Sequence, residues 1–207
     1  MKEMNNASAA VTALLFTLLV GCSDPAPEKK VKAPEKPPEA VTGRTAFYKM
    51  FGTARLWAAD VQGLRCASIR LNQVKDELGA TGAWECTFVS PSLQKSKSFT
   101  YSVIEAEGNL HKDVFAGLDE PYAAGSQTAP WAIQAFKIDS DAAYKEAAAK
   151  SAEYIKKNPD KSIFYLLEWN KRFPVLTWRI VWGESVGTSN YSVYIDASSG
   201  AFIEKMR

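Results

Sequence analysis

The sequence predicts an α+β protein of two tandem units, each a helix packed on a four-stranded antiparallel sheet. Three observations carry this prediction. An alanine-rich amphipathic run over residues 139 to 157 is followed by four short aromatic strands ending in YSVYIDASSGAFIEK. The same order, a helix and then four strands, occurs once before. The apolar face of the earlier helix, Phe47, Met50, Phe51, Ala54, Trp57 and Ala58, repeats the spacing of Tyr144, Ala147, Ala148, Ser151, Tyr154 and Ile155 at an offset of 97 residues.

In the later stretch, Ser140 or Asp139 can cap the free amides of a helix start, and Asp141 suits the positive end of its dipole. Residues three and four apart share a face, so Tyr144, Ala147, Ala148, Ser151, Tyr154 and Ile155 lie on one side. Lys145, Glu146, Lys150, Glu153 and Lys156 lie on the other. Asn158-Pro159 ends the run, because proline cannot continue the hydrogen-bond ladder. The segments 162 to 169, 175 to 182, 190 to 196 and 201 to 206 are rich in aromatic and β-branched residues and alternate in places, as strands do. Ser199-Gly200 supplies a tight turn before the last.

The earlier stretch begins near Thr42. After its helix come strands at 64 to 71, 83 to 90, 98 to 105 and 109 to 115. Trp84 corresponds to Trp178, Tyr101-Ser102-Val103 to Tyr191-Ser192-Val193, and Gly108 to Gly200. The first unit is therefore placed at residues 43 to 118 and the second at 131 to 207. Residues 119 to 130, with Gly, Pro, Ser and Ala, read as a connector. Trp131 to Ile138 alternates apolar and polar residues, as an extra strand joining the two sheets would.

The last third, with its leading strand, DSDAAYKEAAAK, W-x-I-x-W-G and the closing YSVYIDASSGAFIEK, resembles a PepSY-like domain. The resemblance implies a small exported α+β module with a final I-D-A-x-x-G hairpin, of a kind that binds or restrains partners, peptidases among them. Its motifs are structural and carry no catalytic residue across. It reaches residues 43 to 118 only through the internal repeat.

The N-terminus reads as a targeting segment. Ala9 to Val20 is an apolar core too short to span a bilayer as a permanent helix. It ends in Leu19-Val20-Gly21-Cys22, which resembles the lipobox of bacterial lipoprotein signal peptides. The resemblance implies a signal peptide over residues 1 to 21, removed before Cys22, which then carries the lipid and anchors the protein in the bilayer. The n-region departs from the usual pattern, since Glu3 opposes the one positive charge of Lys2. Residues 22 to 42, rich in Pro, Lys and Glu, have little to bury and read as an extended tether. The expected location is membrane-anchored on the periplasmic side, and Ser23 is compatible with outer-membrane sorting.

With Cys22 lipidated, Cys66 and Cys86 remain as an even pair in an oxidising compartment. A hairpin centred near Asp76 or Glu77 would set them on adjacent strands, where a disulfide would contribute about 3 kcal/mol in the chain-entropy model. The alternative is two buried thiols.

Composition excludes little but gives no support to a charged partner. The chain is 46% apolar and 23% charged with a net charge of +2, so there is no electrostatic case for nucleic acid. His111 is the one histidine, and no Cys, Asp or Glu cluster near it has metal-ligand spacing. No serine sits in a G-x-S-x-G elbow, Ser199 is explained by a turn, and no phosphate loop or dinucleotide fingerprint occurs. Asp119-Glu120 lies in the connector and Asp139 with Asp141 at a helix cap. No catalytic residue, metal or cofactor is therefore expected.

A binding surface is the better expectation. Leu176, Trp178, Ile180 and Trp182 alternate onto the face that the helix covers, with Ile163, Tyr165, Leu167 and Trp169 beside them. That leaves Phe164, Leu166, Glu168, Val175, Thr177, Arg179, Val181 and Tyr194 on the other face. Phe164, Glu168, Arg179 and Tyr194 are the candidate contacts for a protein or peptide of the cell envelope, with restraint of a hydrolase as one form of such binding. Alternatively the two units bury these faces against each other. A structural envelope component without a discrete ligand, and a small hydrolase with an unrecognised site, are the other function classes. The partner and the oligomeric state are not written in the sequence.

Overall fold

A computed structural model describes residues 37 to 108, 110 to 123 and 128 to 206. The expected signal peptide, Cys22 and the tether up to residue 36 lie outside the described residues. The elements in chain order are β1 (Val41–Thr42), α1 (Gly43–Trp57), β2 (Gln62–Ile69), β3 (Ala80–Thr81), β4 (Ala83–Ser90), β5 (Lys95–Ser102), β6 (Asp113–Pro121) and β7 (Thr128–Ala129). A 3-10 turn (Ile133–Ala135) follows, then α2 (Ser140–Ala149), α3 (Ala152–Lys157), β8 (Ile163–Asn170), β9 (Thr177–Trp182), β10 (Ser192–Asp196) and β11 (Phe202–Met206). The protein is α+β, with a large antiparallel sheet and its helices on one face.

The strands after α1 and those after α3 join one nine-stranded sheet in the order β11, β10, β9, β8, β2, β4, β5, β6, with short β7 paired to β8. The join is an antiparallel pairing of β2 with β8, Cys66 opposite Leu167 and Ala67 opposite Leu166. Apart, each of these strands would present an unpaired row of amides and carbonyls. The two sheet halves therefore lie side by side, and neither buries its outer face against the other. Short β1 and β3 form a separate two-stranded ribbon.

Both helices press on the same face. Phe47, Met50 and Ala54 of α1 and Ala143 and Ala147 of α2 share one core with Trp84, Phe88, Phe99, Leu167, Trp178 and Ile180. Each large apolar side chain so buried contributes roughly 1.5–3 kcal/mol. The core is continuous across the β2 and β8 seam, so the helices and all the central strands depend on one another.

The helix starts meet above that seam. Thr42 caps α1 by accepting the Thr45 amide. Asp139 caps α2, and its Oδ1 accepts both the Ser140 amide at 2.7 Å and the Arg44 amide of the other helix at 2.9 Å. The Gly43 amide donates to Ser140 Oγ at 2.8 Å, and the Ser140 hydroxyl donates to the Gly79 carbonyl. The Gly79 amide then donates to the Tyr165 hydroxyl oxygen at 2.8 Å. Gly79 has φ +86°, and a Cβ there would lie 2.1 Å from Asp141 Cα, so this close passage of backbone admits only glycine.

Under the junction, Trp84 donates its indole N–H to the Val41 carbonyl and Trp178 to the Ile138 carbonyl, each at 2.9 Å. The two rings pack edge to face at 6.2 Å. A Cβ on Gly43 would come within 2.8 Å of Trp178 and 2.9 Å of Trp84, so the first turn of α1 can rest on both indoles only because residue 43 has no side chain.

Cys66 and Cys86 face each other on β2 and β4 and form a disulfide. This is the pairing expected from the hairpin centre, since the two register positions average to 76.

Three segments differ from the sequence reading. The run expected as one helix to Lys157 breaks at Lys150 and Ser151. The buried Ser151 hydroxyl accepts the Tyr191 O–H at 3.0 Å, and the break lets Tyr154 stack on Tyr191 at 3.8 Å. Trp131 to Ile138 is not a strand. Trp131 makes one bridge to Gly63 and the chain then turns, because Trp131 and Phe136 both enter the same core. Five positions apart on a strand, they would point to opposite faces. Strand β6 also runs on to Pro121, past the start expected for the connector.

Candidate binding face

The outer face is built by the pleat. On β8, Tyr165 and Leu167 enter the core, so Phe164, Leu166 and Glu168 point away from the helices. On β9, Trp178, Ile180 and Trp182 point in and Arg179 points out. The register then aligns Ala67, Leu166, Arg179, Tyr194 and Glu204 in one row across β2, β8, β9, β10 and β11. In the next row Arg65 stands opposite Glu168, and Glu168 opposite Thr177. All four residues singled out in the sequence are on this face, and opposite charges sit directly across the central seam.

They are not equally accessible. Phe164, Glu168 and Arg179 are half-buried, whereas Tyr194 is only 4% exposed. The loop between β8 and β9 folds over Tyr194. Phe173 lies 4.8 Å from its ring, and the guanidinium groups of Arg179 and Arg172 stand 5.3 and 6.0 Å from the ring centre. Arg172 is held there by Glu204 Oε1 at 2.6 Å, and Arg179 by Ser192 Oγ at 3.1 Å. Burial raises the Tyr194 phenol above its ordinary range, and the two arginines pull in the opposite direction with less effect. Tyr194 therefore lies packed among Phe173 and both arginines and offers little area itself.

Sequence reasoning missed Arg172, Phe173 and Arg65. The first two stand in a loop whose docking is a tertiary event, although the cluster Lys171-Arg172-Phe173 before Pro174 was a visible signal. Arg65 was missed because the β2 to β8 pairing was not foreseen.

At one end of the face, Phe164 borders a cavity of about 380 Å³ with Ser68, Arg70, Asn72, Ser162 and Glu184. Arg70 also lines a neighbouring cleft of about 230 Å³ with Asp76, Asp160, Lys161 and Tyr165. Arg70 Nε lies 3.3 Å from Asp76 Oδ2, while Asp76 Oδ1 is buried without a partner among the described residues. Burial raises the Asp76 carboxyl, against the weaker pull of Arg70. Burial likewise raises the Tyr165 phenol well above its usual range. This arrangement can take up a cation or a hydrogen-bond donor.

His111 is exposed, with Nδ1 2.7 Å from Glu105 Oε1 and its ring 4.6 Å from Phe115. Among the described residues, no group of three or more His, Cys, Asp and Glu could hold a metal ion. No helix among them is long and apolar enough to cross a membrane. The disulfide fits an extracytoplasmic location, since such bonds persist in oxidising compartments. No family model matches the chain, and neither a curated protein nor a solved structure matches it.

Proposed function

We propose that the protein is an extracytoplasmic lipoprotein, anchored through acylated Cys22, that binds a protein or peptide of the cell envelope without catalysing a reaction on it. The observation that carries this reading is the outer face at the β2 and β8 seam. There half-buried Phe164 lies near Arg65, Glu168 and Arg179, themselves half-buried, with no helix over them. Apolar area ringed by charges of both signs is the composition of a protein contact.

Two tandem PepSY-like units are part of the same reading. Its support is the repeated hydrogen bond from Trp84 to Val41 and from Trp178 to Ile138, in each case to the residue before a helix cap. The carbonyls are 97 positions apart and the indoles 94. The closing hairpin adds to it, with Asp196 Oδ1 accepting the Ser198 and Ser199 amides in the I-D-A-S-S-G turn.

The test is affinity capture from solubilised envelope with the mature protein as bait and a Phe164→Glu, Arg179→Glu variant as control. A protein retained by the wild type and lost at least tenfold with the variant supports the reading. Identical captures, or none, remove it. Intact mass of the same membrane-extracted bait is expected to begin at acylated Cys22, and an unmodified terminus removes the anchor.

A further inference from the structure

Strand β6 closes one end of the sheet, with only β5 beside it among the described residues. Edge strands are usually blunted by charge or proline. Here Asp113, Asp119, Glu120 and Pro121 occupy the ends, and the middle, Val114 to Leu118, carries no charge. Phe115 is 42% and Leu118 87% exposed. A bulge opposite Ser98 adds twist without covering the edge.

Beside this edge, on the outer face, lies a groove of about 400 Å³ with Ile69, Leu110 and Phe115 as apolar walls. Thr100 lines it and has a buried hydroxyl without a partner among the described residues. Glu85 and Glu107 stand at the same groove. Glu105 is engaged by His111, and Asp119 by Lys95 and Lys97. Glu85, Glu107, Asp113 and Glu120, in contrast, form no ion pair among the described residues. A chain of net charge +2 thus presents here an apolar groove and a free strand edge ringed by unneutralised carboxylates.

We propose that this edge accepts an extended segment of a partner protein as an added strand, in which apolar residues and lysine or arginine take turns at every second position, on the side turned to the groove. Main-chain hydrogen bonds to β6 would supply the common part of the affinity. Because side chains alternate across a strand, every second residue would face the groove, its apolar members over Ile69, Leu110 and Phe115. The basic members of the same set would reach Glu85 and Glu107. The inference does not rest on the seam at Phe164 and Arg179, since it uses other residues and a different contact.

The test is a fluorescence anisotropy titration of the purified protein with a labelled nonapeptide in which isoleucine and lysine take turns at every second position, with threonine between them. Two control peptides carry glutamate for lysine, or N-methyl groups on alternate amides. Saturable binding is expected for the lysine peptide, with at least a tenfold loss for each control and for a Phe115→Lys, Leu118→Lys variant. The exposed Glu107→Lys variant should also lose at least threefold and serves where the double variant loses its near-ultraviolet circular dichroism. Phe164→Glu should bind the peptide as the wild type does, which separates this site from the seam. Absence of saturable binding, equal binding of the lysine and glutamate peptides, or indifference to N-methylation would overturn the proposal. A concentration-dependent dimer abolished by Leu118→Lys would overturn it in favour of a second copy of this chain.

Discussion

Replacing Trp178 with alanine is expected to lower the free energy of unfolding by about 3–5 kcal/mol. The side chain is fully buried and lies against Trp84 at 6.2 Å and Phe136 at 5.7 Å. Its removal opens a cavity at the junction of both helix starts and leaves the Ile138 carbonyl without the indole N–H. The surroundings cannot collapse into the space readily, because Gly43 already rests on the same ring through backbone alone. Trp178→Phe keeps much of the volume but not the donor, and about 1–3 kcal/mol of the loss is expected to remain. Urea denaturation followed by circular dichroism measures both. A loss under about 1 kcal/mol for the alanine variant would show that the helix junction is not the centre of the core.

The second large effect belongs to the Cys66–Cys86 disulfide. Its removal, by reduction or by a Cys66→Ala, Cys86→Ala variant, is expected to cost about 2–4 kcal/mol, largely by freeing the unfolded chain. The two residues lie on β2 and β4, at the seam where β2 also pairs with β8, so the loss should destabilise the whole sheet in one transition. The measurement is a pair of urea curves for oxidised and reduced protein, with thiol counting under denaturing, non-reducing conditions. Coincident curves, or two titratable thiols in the untreated protein, would contradict the bond.

Much of the fold was legible because its signals are local. Alternation placed Trp178, Ile180 and Trp182 inward and Arg179 outward, and residue type put a helix cap at Ser140 or Asp139, which the structure places at Asp139, and a turn at Ser199-Gly200. Cys66 and Cys86 could be paired because one hairpin centre sets their register. What escaped was decided by contacts distant in sequence. Nothing local says that β2 pairs with β8, yet this pairing brings Arg65 across from Glu168 and leaves the outer face without a second layer. The break at Ser151 depends on Tyr191, forty positions away. Phe173 and Arg172 cover Tyr194 for the same kind of reason. Alternation gave the side of the sheet on which Tyr194 lies but not what a neighbouring loop does over it. The candidate face was thus legible as a set of residues, while its accessible part, Phe164, Glu168 and Arg179, required the tertiary structure.

The central claim is that a partner sits on the outer face across the β2 and β8 seam. Carbene footprinting of the protein, alone and with the protein captured from the envelope, tests it most directly. Labelling is expected to fall at Arg65, Phe164, Glu168 and Arg179 and to stay unchanged at Tyr48 and Leu56, which are exposed on α1 on the opposite side. Protection on α1 with unchanged labelling at the seam would place the partner on the helical side and contradict the account.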